Sequence, residues 1–234
     1  MINIIKSKDR HFSDMGWLKT YWLFSFSNYH DPKNVSHGML RVFNDDVVDA
    51  HTGFDIHPHE EMEIVSIILD GEMTHKDTMG NETVIRKNDV QRMTAGTGLF
   101  HSEKNSSDKP VHFYQIWIKP DKNRLEPSYD QKTYNPELWK NKLAIVASNK
   151  PDESIVKLNT DASLYRAQLD KGKAVDCYLY DNRMPFIYVI SGQIEINGEK
   201  LKKNDQARIS NETKLSITAV DSSDLILIDV PAYN

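Results

Sequence analysis

Along most of the chain, apolar positions recur at every second residue or in short runs of β-branched and aromatic residues, and a helical spacing is nearly absent. Short runs of this kind, closed off by Gly, Asn and Asp, are the pattern of antiparallel strands in a sandwich or barrel. The pattern predicts strands over Glu63–Leu69, Thr83–Arg86, Val111–Ile118, Leu143–Val146, Tyr188–Ile190, Gln193–Ile196, Leu215–Val220 and Leu225–Val230. Turns are predicted at Asp70-Gly71, Gly80-Asn81, Asn88-Asp89, Ser191-Gly192, Asn197-Gly198 and Asn204-Asp205. Asn197-Gly198 is the strongest hairpin signal, because a two-residue type I′ turn needs positive φ at both central positions. One helix start stands out at Asn135-Pro136-Glu137, with a capping Asn, Pro at the first helical position and an acid in the first turn. It predicts a short helix ending near Lys142.

A weak internal repeat organises these strands. Ile67-Ile68-Leu69-Asp70-Gly71-Glu72-Met73 is echoed by Tyr188-Val189-Ile190-Ser191-Gly192-Gln193-Ile194, and Arg86-Lys87-Asn88-Asp89-Val90 by Lys202-Lys203-Asn204-Asp205-Gln206. The second copy has the shorter hairpin, since Gly71 and Asn88 are 17 residues apart and Gly192 and Asn204 only 12. The economical reading is an all-β chain of two related barrels in tandem, with the short helix near their junction. Pro120, Pro127 and polar residues accumulate over Lys119–Pro136, so the division is expected at 1–125 and 126–234.

Composition narrows the function classes. The 234 residues carry 29 Lys and Arg against 34 Asp and Glu, a net charge of −5, which gives no overall electrostatic footprint for nucleic acid. Cys177 is the sole cysteine, so an intrachain disulfide or a cysteine-based zinc finger is excluded. No apolar run reaches the roughly 20 residues of a membrane-spanning helix, and charge follows Met1-Ile2-Asn3-Ile4-Ile5 too soon for a signal segment. A cytoplasmic protein is expected. All nine histidines lie before position 113, so imidazole chemistry belongs to the first half.

Within that half, His57-Pro58-His59 places two imidazoles on one face of a strand, and His101-Ser102-Glu103 does the same with an imidazole and a carboxylate. If the two segments face each other inside a barrel, His57, His59, His101 and Glu103 form a set of three nitrogens and one oxygen. Such a set suits a divalent Fe, Mn, Co, Ni, Cu or Zn ion and leaves room for exogenous ligands. Glu63 and Glu61 also lie at even spacing from the histidine pair, so parity alone leaves the identity of the carboxylate open. His75 and Asp77 are expected to form a structural hydrogen bond, and Cys177 to be a buried apolar residue.

Gly53-Phe54, His57-Pro58-His59, Glu63, Gly71 and Gly98-Leu99-Phe100-His101 with Asn105 are similar to the two cupin motifs, in order. The fuller resemblance is to the pirin family. It rests on Gly16-Trp17-Leu18, Phe24-Ser25-Phe26, Leu40-Arg41-Val42, Asn44-Asp45-Asp46, His57-Pro58-His59 through Glu63, Asp77 through Gly80-Asn81, Met93-Thr94-Ala95-Gly96-Thr97-Gly98 and His101-Ser102-Glu103. The resemblance implies a bicupin, with two tandem cupin barrels and metal in the N-terminal one only. It favours His57, His59, His101 and Glu103 as ligands, with Glu63 behind an imidazole. The implied activity is a metal-dependent quercetin 2,3-dioxygenase, with Fe(II) as the ion, a small aromatic substrate and dioxygen as partners, and Glu103 as general base for the substrate hydroxyl. A monomer is implied, with no direct nucleic-acid or membrane partner. The alternative is a metal-binding regulatory protein acting through a protein partner, and a third reading is isomerase or hydrolase chemistry with a redox-silent ion. Trp22 stands where many pirins have a histidine, and Glu60 replaces the basic residue that commonly follows His-Pro-His. The Trp22 exchange leads to the expectation of a pocket more apolar than usual, and the Glu60 exchange weighs against an anionic substrate or partner.

Overall fold

The computed structural model describes residues 1–150 and 152–233, and its architecture is all-β with two barrels of the same plan. In each, a seven-stranded sheet faces a four-stranded one. The first large sheet runs Ser128–Thr133, Asp89–Thr94, Glu63–Asp70, Val111–Ile118, Leu40–Val48, Leu18–Trp22, His11–Asp14. Its small partner runs Gly53–His59, Leu99–Lys104, Glu72–Asp77, Glu82–Arg86. The second large sheet runs Ile2–Ile5, Gln206–Ile209, Phe186–Ser191, Ser223–Asp229, Ser163–Leu169, Ala144–Ser148, Val156–Lys157, opposite Ala174–Tyr178, Lys214–Ala219, Gln193–Ile196, Glu199–Lys202.

The internal echo is a structural equivalence. Glu63–Asp70 and Phe186–Ser191 occupy the same place in their barrels, each ending at a positive-φ glycine, Gly71 at +80° and Gly192 at +78°. A Cβ at Gly192 would meet the Ser222 carbonyl oxygen at 2.2 Å, so both the backbone angle and the close approach demand glycine there. Sheet membership crosses the expected 125/126 division in both directions. Ser128–Thr133 hydrogen-bonds along Asp89–Thr94 of the first barrel, and Ile2–Ile5 along Gln206–Ile209 of the second.

The large sheets pack against each other, and strand alternation decides what each residue meets. Val65, Ile67, Tyr114 and Ile116 from the first share a core with Phe186, Tyr188, Ile226 and Ile228 from the second. The intervening residues point into their own barrels. In the second barrel these are hydrocarbon, with Ile187, Val189, Leu225 and Leu227 among them. In the first barrel one row is polar: Asn44, Gln115, Ser66 and Gln91 stand in register across four adjacent strands. The equivalent row of the second barrel is Tyr165, Leu227, Ile187 and Ala207. The helix expected to reach Lys142 is a single 3-10 turn, Pro136–Trp139. Asn135 caps it by accepting from the Glu137 N–H, but Lys140 is already extended and Asn141 has φ +54°, so the backbone leaves the helical region at once.

Candidate metal centre and its pocket

Gly53–His59 and Leu99–Lys104 pair antiparallel with His57 opposite His101, which sets three imidazoles on the inner face of the small sheet. Ring centroids are 4.4 Å apart for His57 and His101 and 4.9 Å for both His59 pairs. One ligand nitrogen from each of the three lies within 4.8 Å of the others, the spacing a single ion would bridge. The His57 Nδ1–H donates to the Asp55 carbonyl oxygen at 2.7 Å, leaving Nε2 free. His101 is buried, and its Nε2 has no hydrogen-bond partner among the described residues. Behind it, His101 Nδ1 lies 3.5 Å from His75 Nδ1, and His75 Nε2–H donates to Asp77 at 2.9 Å. Asp77 also accepts from the backbone of Met79 and the side chain of Asn81.

Burial is the main influence on the imidazoles. It lowers the pKa of His59 to about 4, with His57 adding repulsion, and that of His101 to about 2, with His57, His59 and His75 around it. Both rings are therefore neutral and offer lone pairs at neutral pH. The donor set fits a divalent first-row ion, and the bare His101 Nε2 is a buried polar atom that such an ion would satisfy.

Glu103 is fully buried one residue pair further along the strand, opposite His75 and past a register shift that follows His101. Its ligand oxygen groups with His75 and His101, so the structure brings it beside the three-imidazole cluster, on the His101 side. Gln115 Nε2 donates to Glu103 at 2.8 Å. Burial raises the Glu103 pKa to about 7, with the Gln115 hydrogen bond opposing it.

Glu63 is elsewhere. Residues 60–62 carry the chain from the small sheet to the large one, with Glu61 at φ +47°, so even spacing does not survive the corner. Glu63 falls in step with Val65 and Ile67 and faces the other barrel. Its oxygens accept from Thr94 Oγ1 at 2.7 Å and from the Asn159 N–H at 2.9 Å, with Arg92 Nε 3.6 Å away. The placement of Glu63 behind an imidazole is thus corrected, because both its oxygens serve the junction between barrels. Glu61 accepts from the Arg124 N–H at the surface.

A cavity of about 480 Å³ opens beside the imidazoles, lined by His57, His59, Glu103 and Gln115 and walled mainly by aromatic rings. Trp117 stands edge-on to His59 with centroids 4.8 Å apart, Phe26 on Trp117 at 5.3 Å, and Trp22 on Phe26 at 5.6 Å. Trp17 and Phe54 complete the wall. Trp22 thus contributes to an apolar pocket as expected. Phe54 is pocket wall, whereas Phe100 is about half exposed. Trp117, Gln115, Asn44 and Asp46 also belong to the site. Their signal is an alternation: Phe113, Gln115 and Trp117 share one face of a strand, and Asn44 and Asp46 interrupt an apolar one. Asp46 is fully buried, and its pKa rises to about 8, chiefly through burial, with the Thr20 hydroxyl opposing the rise by a hydrogen bond and the Asp45 and Glu103 carboxylates adding to it. Cys177 is buried in the second barrel and its thiol is pushed up to about 11, as befits an inert packing residue.

A Pirin family model matches residues 5–118, and a second, described as the quercetinase C-terminal cupin domain, matches 145–230. Over 232 residues the chain is 38% identical to the quercetin 2,3-dioxygenase of Escherichia coli K12, covering 99% of both proteins. The chain belongs to the pirin family. Among other pirins, a pirin-like protein of Caulobacter vibrioides is 37% identical, over 93% of this chain and 94% of that one. The crystal structure of the bacterial pirin YhhW from Escherichia coli in complex with nickel(II) superposes with a TM-score of 0.93 at 36% identity, covering 99% of this chain and 100% of that one. A divalent transition metal is therefore the ion class to which this pirin site corresponds.

Proposed function

We propose that this chain is a metal-dependent quercetin 2,3-dioxygenase that opens a flavonol or similar enol with dioxygen. The observation that carries the reading is the bare, buried His101 Nε2 converging with His57 and His59 at the edge of an aromatic-walled cavity. Full-length identity of 38% to a protein named for that activity supports it. His57, His59, His101 and Glu103 would hold one divalent first-row ion, with Fe(II) the first to test. The ion, when bound, supplies Lewis acidity towards the substrate oxygen and the redox chemistry that dioxygen requires.

The remaining work falls to the chain itself. Asp55 fixes the His57 tautomer so that Nε2 faces the centre. Trp17, Trp22, Phe54 and Trp117 pack the planar rings and exclude water, which strengthens every polar contact inside. Glu103, whose pKa of about 7 leaves it ready to gain or lose a proton, takes the substrate hydroxyl proton, and Gln115 holds the carboxylate in place.

The test is anaerobic loading with each first-row ion, then oxygen uptake with quercetin, for wild type beside His101→Ala and Glu103→Gln. Uptake that depends on one ion is expected, lost in His101→Ala and reduced on the order of 10²-fold or more in Glu103→Gln. Tight metal binding with no uptake across flavonols and simpler enols would overturn the reading and leave the regulatory one.

A further inference from the structure

Strand alternation carries both rows of the shared core past the point where the barrels touch. Val65 and Ile67 are followed on their face by Leu69, and Phe186 and Tyr188 by Ile190, yet Leu69 and Ile190 are only half-buried. The large sheets diverge here, and a second cavity, of about 590 Å³, opens between the barrels. Small-molecule sites span roughly 300–1,000 Å³ and favour such seams. One strand, Leu40–Val48, separates this cleft from the metal cavity, with Asn44 and Asp46 on the metal side and Asp45 and Val47 on the other. The charges around the cleft do not balance. Asp45 is committed, since it accepts from Arg10 Nη1 at 3.0 Å and from the Tyr188 hydroxyl at 2.7 Å and lies 2.7 Å from His112 Nε2. Asp70, at the rim, has Lys87 3.5 Å away. Lys19 and Lys203 reach the rim from opposite barrels, both are exposed, and among the described residues neither ammonium group has an ion-pair partner.

We propose that this cleft is a binding site for a small aromatic carboxylate, separate from the metal centre. The ring occupies the wedge over Val47, Leu69 and Ile190, beside Phe12, which is 48% exposed and holds its ring 5.0 Å from that of Tyr21. The carboxylate meets Lys19 and Lys203 at the rim. The floor calls for a ring and the rim for an anion. An inorganic anion would leave the half-buried hydrocarbon in water, and a neutral ring would leave both ammonium groups without a counter-charge. Lys19, Val47 and His112 stand in register across three adjacent strands, so the sheet itself sets the spacing of cation and floor.

The probe is 2-naphthoate, titrated into the Zn(II)-loaded protein and followed residue by residue through backbone amide chemical shifts. Saturable shifts are expected at Val47, Leu69, His112 and Ile190. The double variant Lys19→Gln/Lys203→Gln is expected to bind roughly tenfold more weakly at those amides, with its melting temperature unchanged because both side chains are exposed. The neutral analogue 2-naphthamide is expected to bind wild type roughly tenfold more weakly than the acid, and to bind the double variant no differently from wild type. Shifts confined to His57, His59 and His101 would place the anion on the metal and overturn the inference. So would the absence of any shift, an affinity that survives the double variant, or naphthamide binding as tightly as naphthoate. A concentration-dependent dimer in sedimentation, abolished by Phe12→Ser and closed to naphthoate, would assign the cleft to a second copy of the chain and equally overturn it.

Discussion

His75 touches no solvent, yet its two ring nitrogens have different neighbours, the Asp77 carboxylate on one side and His101 on the other. Holding the His75 proton on Nε2 leaves Nδ1 as an acceptor for His101 Nδ1–H, and that in turn keeps His101 Nε2 bare. Partners of this kind typically change metal affinity 10–100-fold when removed. His75→Gln is therefore expected to weaken metal binding by roughly that factor, read by competition with a chelator, with the cavity and fold retained. A His75→Gln protein with undiminished affinity would show that His101 needs no such support. Residue roles of this sort were only partly legible in the sequence. The spacing of His57, His59, His101 and Glu103 was visible because alternation along a strand is local. The neighbours of Glu63 were not, since its direction depends on a corner between two sheets. The contrast is testable: Glu63→Gln is expected to leave metal content unchanged, whereas Glu103→Gln lowers it, both measured by metal analysis after dialysis.

At the scale of elements, the strands that hydropathy finds come from both large sheets and also from the small ones, where Gln193–Ile196 and Lys214–Ala219 line the apolar interior of the second barrel. Val111–Ile118 and Gln193–Ile196 match their expected bounds, and Glu63–Asp70 runs one residue longer. The small-sheet strands Gly53–His59, Glu72–Asp77 and Leu99–Lys104 carry His, Lys, Asp and Glu, so no apolar alternation betrays them. They are polar because they line a site or face solvent, and function erased the pattern that would reveal structure. The paired glycines show the converse, local rules that both copies obey. Gly192→Ala puts a Cβ into the Ser222 carbonyl at positive φ, and a loss of about 1–3 kcal/mol is expected by chemical denaturation. Metal affinity in the first barrel should not change. A variant as stable as wild type would mean that this turn relaxes freely.

Across the whole molecule, the barrels are joined by apolar packing and by a few buried polar ties. Arg92 donates to the Lys157 carbonyl at 2.7 Å and stands over Glu63, which receives the Asn159 N–H. Removing the guanidinium takes the counter-charge from the buried Glu63, which keeps only the Thr94 and Asn159 hydrogen bonds, so Arg92→Ala is expected to cost about 3–5 kcal/mol in unfolding free energy. His37 forms a second tie, with Nε2 3.1 Å from the carbonyl oxygens of both Pro185 and Ile209. Burial lowers its pKa from 6.5 to about 4, so the folded state holds it neutral while the unfolded chain binds a proton below pH 6.5. Its contribution is complete above pH 6.5 and declines as pH falls towards 4, by about 3 kcal/mol in all. Comparing metal-free wild type with His37→Gln across that range isolates it from the site imidazoles, which titrate in the same direction. The difference between the two should shrink as the solution is acidified.

The crossing of the terminal strands carries a consequence for biogenesis. Ile2 pairs with Ile209, so the strand Ile2–Ile5 leaves the ribosome long before the residues that will bond to it exist. During that interval its amides must stay solvated or be shielded, and the second barrel keeps an open edge until the strand returns. Contacts of such sequence separation form late, after the loop between them has been closed. A nascent chain of this design completes the second barrel only after Ile209 has emerged from the ribosome, because the edge strand and its partner lie so far apart in sequence.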